Sequence, residues 1–205
     1  MIKNLLFDLG GVIMNIRRQN AVDALIKIGM KDADSFLGDY AQTGPFLKLE
    51  EGLISEEEFR SEIRKFIPNP VTDSEIDNAF CQFLLGIPEE RLKALEKLHE
   101  TYGIYMLSNT NPIMWNSRIS EEFRKLGKDM NYYFDGIVTS FDAKSAKPDA
   151  KIFHAVVENL GIKPEETLFF DDSQANIDAA SKLGFKTALV APGTEFMDLL
   201  PSWKK

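Results

Sequence analysis

The stretch Asn4 to Met14, NLLFDLGGVIM, decides how the rest of this chain is arranged. An apolar run broken by one carboxylate and then two glycines reads as a buried parallel strand that ends by delivering Asp8 into a turn. An aspartate is a competent nucleophile toward phosphorus. Gly10 and Gly11 let the chain turn sharply and bring bare backbone up to a phosphate or a metal. Taken alone, the segment reads equally as a strand, a glycine turn and a solvated aspartate, so its meaning depends on partners elsewhere.

Beyond Ile13 the apolar spacing changes from strand to helix. Ala21, Val22, Leu25 and Ile26 share one helical face, and Phe36, Leu37 and Tyr40 form a second, shorter one. Ser55 and Glu58 read as a capping box ahead of Phe59, Ile63 and Phe66. Pro68, Asn69 and Pro70 break the chain, after which Asp73 caps a helix carrying Ile76, Phe80, Phe83 and Leu84. From Pro88 onward helices alternate with strands: Leu92, Leu95 and Leu98 on a helix, Ile104 to Leu107 a strand, Ile137 to Thr139 a weaker strand, and a helix with Phe153, Val156, Val157 and Leu160. Thr167 to Phe170, Asn176 to Leu183 and Thr187 to Val190 then give strand, helix and strand. The expected fold is α/β, a doubly wound parallel sheet of Rossmann-like form made from residues 1–14 and 87–205, with residues 15–86 inserted as an all-helical cap.

Composition narrows the function. The 205 residues are 44% hydrophobic and 27% charged, as in an ordinary globular protein. No apolar run approaches the roughly 20 residues that cross a membrane, and the run after Lys3 meets Asp8 too early for a signal peptide, so the cytoplasm is the expected compartment. The lone Cys81 has no internal disulfide partner, and no cluster of Cys or His offers a zinc site. A net charge of -8 argues against a nucleic acid as partner. A small anionic substrate fits if the positive charge is local. His99 and His154 read as ordinary helix residues, and the acidic run Glu50, Glu51 and Glu56 to Glu58 as a solvated helix face.

Ligands of open parallel sheets bind beyond the carboxyl ends of the strands. Asp8, Ser108 and the pair Asp171, Asp172 each follow a strand directly, so topology converges them on one edge. Ser108, Asn109 and Thr110 offer a hydroxyl and backbone N–H groups to phosphate oxygens, or else form a polar turn with a helix cap. Lys147, before Pro148, neutralises charge on phosphate and on Asp8 if it is fixed, and is a solvated lysine if it is not. Two adjacent carboxylates at the end of an apolar strand repel unless a cation lies near them. A hard cation with oxygen ligands, Mg²⁺, accounts for them economically; the alternative is two helix-capping acids before Asn176.

Together these motifs resemble the haloacid dehalogenase superfamily: Asp8-Leu-Gly-Gly-Val, then Ser108-Asn109, then Lys147-Pro148, then Asp171-Asp172 with Asn176. The helical insertion resembles that superfamily's first type of cap. Residues 107–111 (LSNTN) and 169–177 (FFDDSQANI) are similar to a bacterial branch that includes sugar-1-phosphate phosphatases, glucose 1-phosphate among their substrates. The resemblance implies Mg-dependent phosphomonoester hydrolysis of a small phosphorylated metabolite, with a phospho-aspartyl intermediate at Asp8. It implies a metal held by Asp8, the Gly10 carbonyl and Asp172 with Asp171 close by, and a phosphoryl group held by Ser108, Asn109 and Lys147. One departure stands out. The family's phosphatases carry a second Asp two residues after the nucleophile as acid and base, and here Gly10 stands there; the loss of such a group slows both half-reactions by roughly 10² to 10⁴ if nothing replaces it. A nearly inactive phosphometabolite binder and a metal-free 2-haloacid dehalogenase are therefore the alternatives. In the cap, Gly44 to Glu51 is the segment expected to face Asp8, with Phe46 and Lys48 contacting the substrate, or else a helix linker with Phe46 in the cap core.

Overall fold

The structure is a computed structural model that describes residues 1–38 and 40–200; the end of the expected core segment, 201–205, lies outside the described residues. The chain opens with strand β1 (Asn4–Phe7), turns, and forms a short strand β2 (Asn15–Ile16). Five helices follow: α1 (Arg18–Lys27), α2 (Ala33–Phe36), α3 (Gly44–Glu50), α4 (Glu56–Arg64) and α5 (Asp73–Cys81). Strand β3 (Leu84–Gly86) then pairs antiparallel with β2, so the helical segment leaves and rejoins the rest of the chain through one two-stranded neck. The remainder runs α6 (Glu89–His99), β4 (Gly103–Ser108), short helices α7 (Pro112–Met114), α8 (Ser120–Phe123) and α9 (Met130–Tyr133), β5 (Gly136–Thr139), α10 (Ser140–Ala143), α11 (Ala150–Leu160), β6 (Thr167–Asp171), α12 (Gln174–Lys182) and β7 (Lys186–Leu189).

Five of these strands form one parallel sheet in the order β5-β4-β1-β6-β7. The chain winds outward from β1 through β4 and β5, then crosses to the other side of β1, which leaves the centre of the sheet as its switch point. Alternation along the strands divides the core between the two faces. Leu5, Phe7, Met106 and Phe170 belong to one cluster, whereas Leu6, Leu107 and Phe169 belong to the other, under α11 and α12. Phe7 and Phe170 stack across β1 and β6 with centroids 4.9 Å apart. That packing fixes the two strands whose ends carry Asp8 and Asp171.

The helical segment has a core of its own. Phe46 meets Phe59 and Phe80 edge-on at 5.1 and 4.9 Å, joining α3, α4 and α5. Ser55 with Glu58 forms the expected capping box of α4. Thr72 with Glu75, rather than Asp73, caps α5. Ile26 is 44% exposed although its spacing places it on the apolar face of α1, where Ala21, Val22 and Leu25 are buried. Leu84 belongs to β3 and not to α5, because its backbone is needed opposite Ile16. Arg91, from α6, closes the neck: it donates to the Ile13 carbonyl at 3.1 Å and to Asn15 Oδ1 at 2.9 Å, while Glu195 accepts its other N–H groups at 2.7 and 2.8 Å.

Candidate active site

The parallel register sets Phe7 opposite both Met106 and Phe170, so Asp8, Leu107 and Asp171 come next along the three neighbouring strands, with Ser108 and Asp172 one residue further on. Lys147 Nζ lies 2.7 Å from Asp8 Oδ1 and 2.8 Å from Asp171 Oδ2, and donates to the Leu107 carbonyl at 3.1 Å. Asp8 Oδ1 also accepts the Leu9 N–H at 2.7 Å. Asp171 is fully engaged: its Oδ1 accepts from the Ser173 N–H at 2.8 Å and from Asn176 Nδ2 at 3.0 Å, while Oδ2 takes Lys147. Lys147 is 3% exposed, so these pairs sit out of water, where charge interactions are strongest.

Asp8, Asp171 and Asp172 each bring an oxygen within 4.8 Å of the others. Burial, reinforced by Asp171 and Asp172 and opposed by Lys147, pushes Asp8 up to about 7. Burial and the neighbouring Asp171 push Asp172 up to about 6. Burial works against the charge of Lys147, but Asp171 and Asp8 outweigh it and hold the ammonium above its ordinary range. Three carboxylates thus share one ammonium, a donor set that fits a divalent cation with oxygen ligands. Gly11 makes room for the Asp172 carboxylate in that set. At φ 75 it occupies the left-handed region, and a Cβ there would collide with the Asp172 carboxylate.

Ser108 and Asn109 line the same pocket as Asp8, Gly10, Lys147 and Asp172. The Asn109 amide bonds to the loop beside it: Oδ1 accepts the Lys147 N–H at 2.8 Å and Nδ2 donates to the Lys147 carbonyl at 3.0 Å. Asn109 therefore positions Lys147, and its Nδ2 keeps a second hydrogen beyond the one donated to the Lys147 carbonyl. Ser140 Oγ braces the next residue, accepting the Thr110 N–H and donating to its carbonyl, both at 3.0 Å.

The cap side of the pocket departs from expectation. Phe46 is fully buried in the aromatic cluster and Lys48 is exposed; neither lines the pocket. Tyr40, Gln42 and Glu50 do. Glu50 is no solvated acid of a charge run: it is 8% exposed, and burial, with Glu51 adding to it, pushes its carboxyl up to about 8. Its position was detectable, since on α3 it lies four residues after Phe46 and shares its buried face.

A family model described as haloacid dehalogenase-like hydrolase matches residues 2–184. The chain is 40% identical over 187 residues, 91% of either sequence, to a D-ribitol-5-phosphate phosphatase of Bacteroides thetaiotaomicron. A crystal structure of a HAD-family enzyme from that organism, in complex with magnesium and inorganic phosphate, superposes with a TM-score of 0.91 at 40% identity, covering 98% of this chain and 100% of that one. A predicted HAD-like hydrolase from Porphyromonas gingivalis superposes with a TM-score of 0.91 at 34% identity, covering 100% of this chain and 98% of the other.

Proposed function

We propose that this chain, which belongs to the haloacid dehalogenase-like hydrolases, is a phosphatase that removes phosphate from a small polyol or sugar phosphate through a phospho-aspartyl intermediate on Asp8. The observation that carries the reading is the buried Lys147 ammonium held between Asp8 and Asp171 at 2.7 and 2.8 Å. That pairing favours the charged form of Asp8 against the burial that pushes it up to about 7, and holds it at the end of the sheet, where a nucleophile toward phosphorus is needed.

Asp8 attacks phosphorus in line; the Asp8 oxygen–phosphorus bond forms as the bond to the departing oxygen breaks. Water then attacks the same phosphorus, the bond to Asp8 breaks, and inorganic phosphate leaves. Lys147 faces the negative charge of both steps, and the Ser108 hydroxyl with the Asn109 backbone N–H orients the phosphoryl oxygens, the Thr110 N–H being held by Ser140. The residues suited to Mg²⁺ are Asp8, the Gly10 carbonyl and Asp172, because both oxygens of Asp171 are already committed. When bound, Mg²⁺ supplies positive charge beside the transferring phosphoryl group. Residues 15–86 serve in this reading as the cap that covers the leaving group, with residues 1–14 and 87–205 as the catalytic core.

The substrate class draws support from the similarity to the ribitol-5-phosphate phosphatase. Among the described residues no helix is long and apolar enough to cross a membrane, which agrees with the cytoplasmic setting we assign. Asp8→Asn abolishes phosphate release from p-nitrophenyl phosphate and D-ribitol 5-phosphate, and EDTA does the same reversibly, with Mg²⁺ restoring it. Activity surviving either change contradicts the reading. Gly10, in place of an acid, favours a nearly silent phosphate binder as the second reading, and thermal stabilisation by phosphate esters without phosphate release would establish that one instead.

A further inference from the structure

The cap end of the pocket is apolar except at Tyr40, Gln42 and Glu50. Its wall includes Ile16, Phe80, Phe83 and Leu84, and into it come the side chains of Gln42 and Glu50. Each is 8% exposed. Gln42 Oε1 accepts the Gly38 N–H at 3.2 Å, whereas its Nε2 makes no hydrogen bond among the described residues. The Glu50 carboxyl has neither an ion pair nor a hydrogen bond among them. A buried carboxyl without a partner is costly, and one lining a substrate pocket finds its partner in the substrate.

Two contacts hold Glu50 in place. Phe46, one turn earlier on α3, is locked into the Phe59 and Phe80 rings. Just past α3, the Gly52 carbonyl accepts a hydrogen bond from Lys144 of the core at 2.6 Å, which ties this end of the cap down over the sheet. Glu50 also stands apart from the reacting centre. The described charges acting on Asp8 are Lys147, Asp171 and Asp172, and the one acting on Glu50 is Glu51.

We propose that Glu50 is a specificity-determining residue: from the cap end of the pocket its carboxyl, together with the Gln42 amide, hydrogen-bonds the hydroxyls of an uncharged polyol or sugar leaving group. This rests on the phosphatase reading and names the substrate chemistry it selects. A neutral carboxyl and a hydroxyl are each donor and acceptor, so the pair match without a net charge entering the apolar wall. Burial that pushes Glu50 up to about 8 keeps it in that neutral form near pH 7. The lining supports exclusion as well. Lys147 is the cation lining this pocket among the described residues, and it is already held by two aspartates, so nothing there answers a second phosphate or a carboxylate on the leaving group.

The test compares Glu50→Leu and Glu50→Gln with wild type on D-ribitol 5-phosphate and on p-nitrophenyl phosphate, whose leaving group has no alcohol hydroxyls. The ratio of kcat/KM for the polyol ester to that for the aryl ester falls about tenfold to a hundredfold in Glu50→Leu, chiefly through KM, and by less than about threefold in Glu50→Gln, which keeps a donor and an acceptor. An unchanged ratio in a folded Glu50→Leu protein overturns the proposal. So does an equal fall in both variants, since the Gln amide keeps the donor and the acceptor that the neutral carboxyl supplies. If wild type releases phosphate from neither ester, the phosphatase reading is what fails. Calorimetric Kd values then decide: Glu50→Leu weakens D-ribitol 5-phosphate at least about tenfold relative to inorganic phosphate, and an unchanged ratio overturns the assignment.

Discussion

At the scale of single residues, Gly11 and Asp172 share a space that only glycine leaves open. A methyl group at position 11 would run into the Asp172 carboxylate, and φ 75 is strained for any side chain. Gly11→Ala therefore displaces Asp172 from the acidic trio. The Mg²⁺ concentration for half-maximal activity rises by tenfold or more, on the order found when groups supporting metal ligands are removed. An unchanged Mg²⁺ requirement would separate Asp172 from the metal. The three acids of this site were legible in the sequence because each ends or directly follows a strand, where topology directs it to the sheet edge, and Lys147 because it stands in a short loop shortly before a helix. Asn109 was half legible. Its place at the end of β4 was plain, but its two hydrogen bonds run to a loop 38 residues away in sequence, and no local pattern encodes such a contact. Glu50 was misread because it borders a run of acids, and charge outweighed the helical spacing that sets it beneath Phe46.

At the scale of elements, α3 shows how a helix divides its labour. Pro45, Phe46, Leu49 and Glu50 face inward and Lys48 faces out. Phe46→Ala empties the junction of three rings and is expected to destabilise the protein by about 3–5 kcal/mol, whereas Lys48→Ala stays within about 0.5 kcal/mol. Chemical denaturation measures both. Corrected for folded fraction, Lys48→Ala leaves relative rates across a set of phosphate esters unchanged, and a shift specific to one ester would return that side chain to the substrate. The strands and the longer helices were legible from period and capping. The segment between β4 and β5 was not, because a π-helical turn at Trp115–Ile119 breaks the 3.6-residue period between α7 and α8. Strands β2 and β3 were missed for a related reason: two or three residues carry no periodicity, and their pairing spans the whole helical insertion.

At the scale of the molecule, in the proposed reading the sheet supplies a nucleophile with its counter-charges and the inserted helices supply the surface that meets the leaving group. The neck clamped by Arg91 and the Lys144–Gly52 contact join the two at separate points of the insertion. The central claim is that phosphorus passes through Asp8. Gly10 places no acid or base two residues beyond it, so proton transfer at both steps is weakly assisted. A good leaving group masks that weakness in the first step but not in the second, where water must be activated, and the phosphorylated enzyme accumulates. The most direct measurement is rapid quenching of wild type with p-nitrophenyl phosphate and Mg²⁺, followed by mapping of the acid-trapped protein. The account predicts a burst of p-nitrophenol that approaches the enzyme concentration, with a matching phosphoryl group on the peptide containing Asp8 and none in Asp8→Asn. A phosphoryl group on another side chain, or steady release of p-nitrophenol with no protein-bound phosphoryl at any time before the steady state, would contradict it.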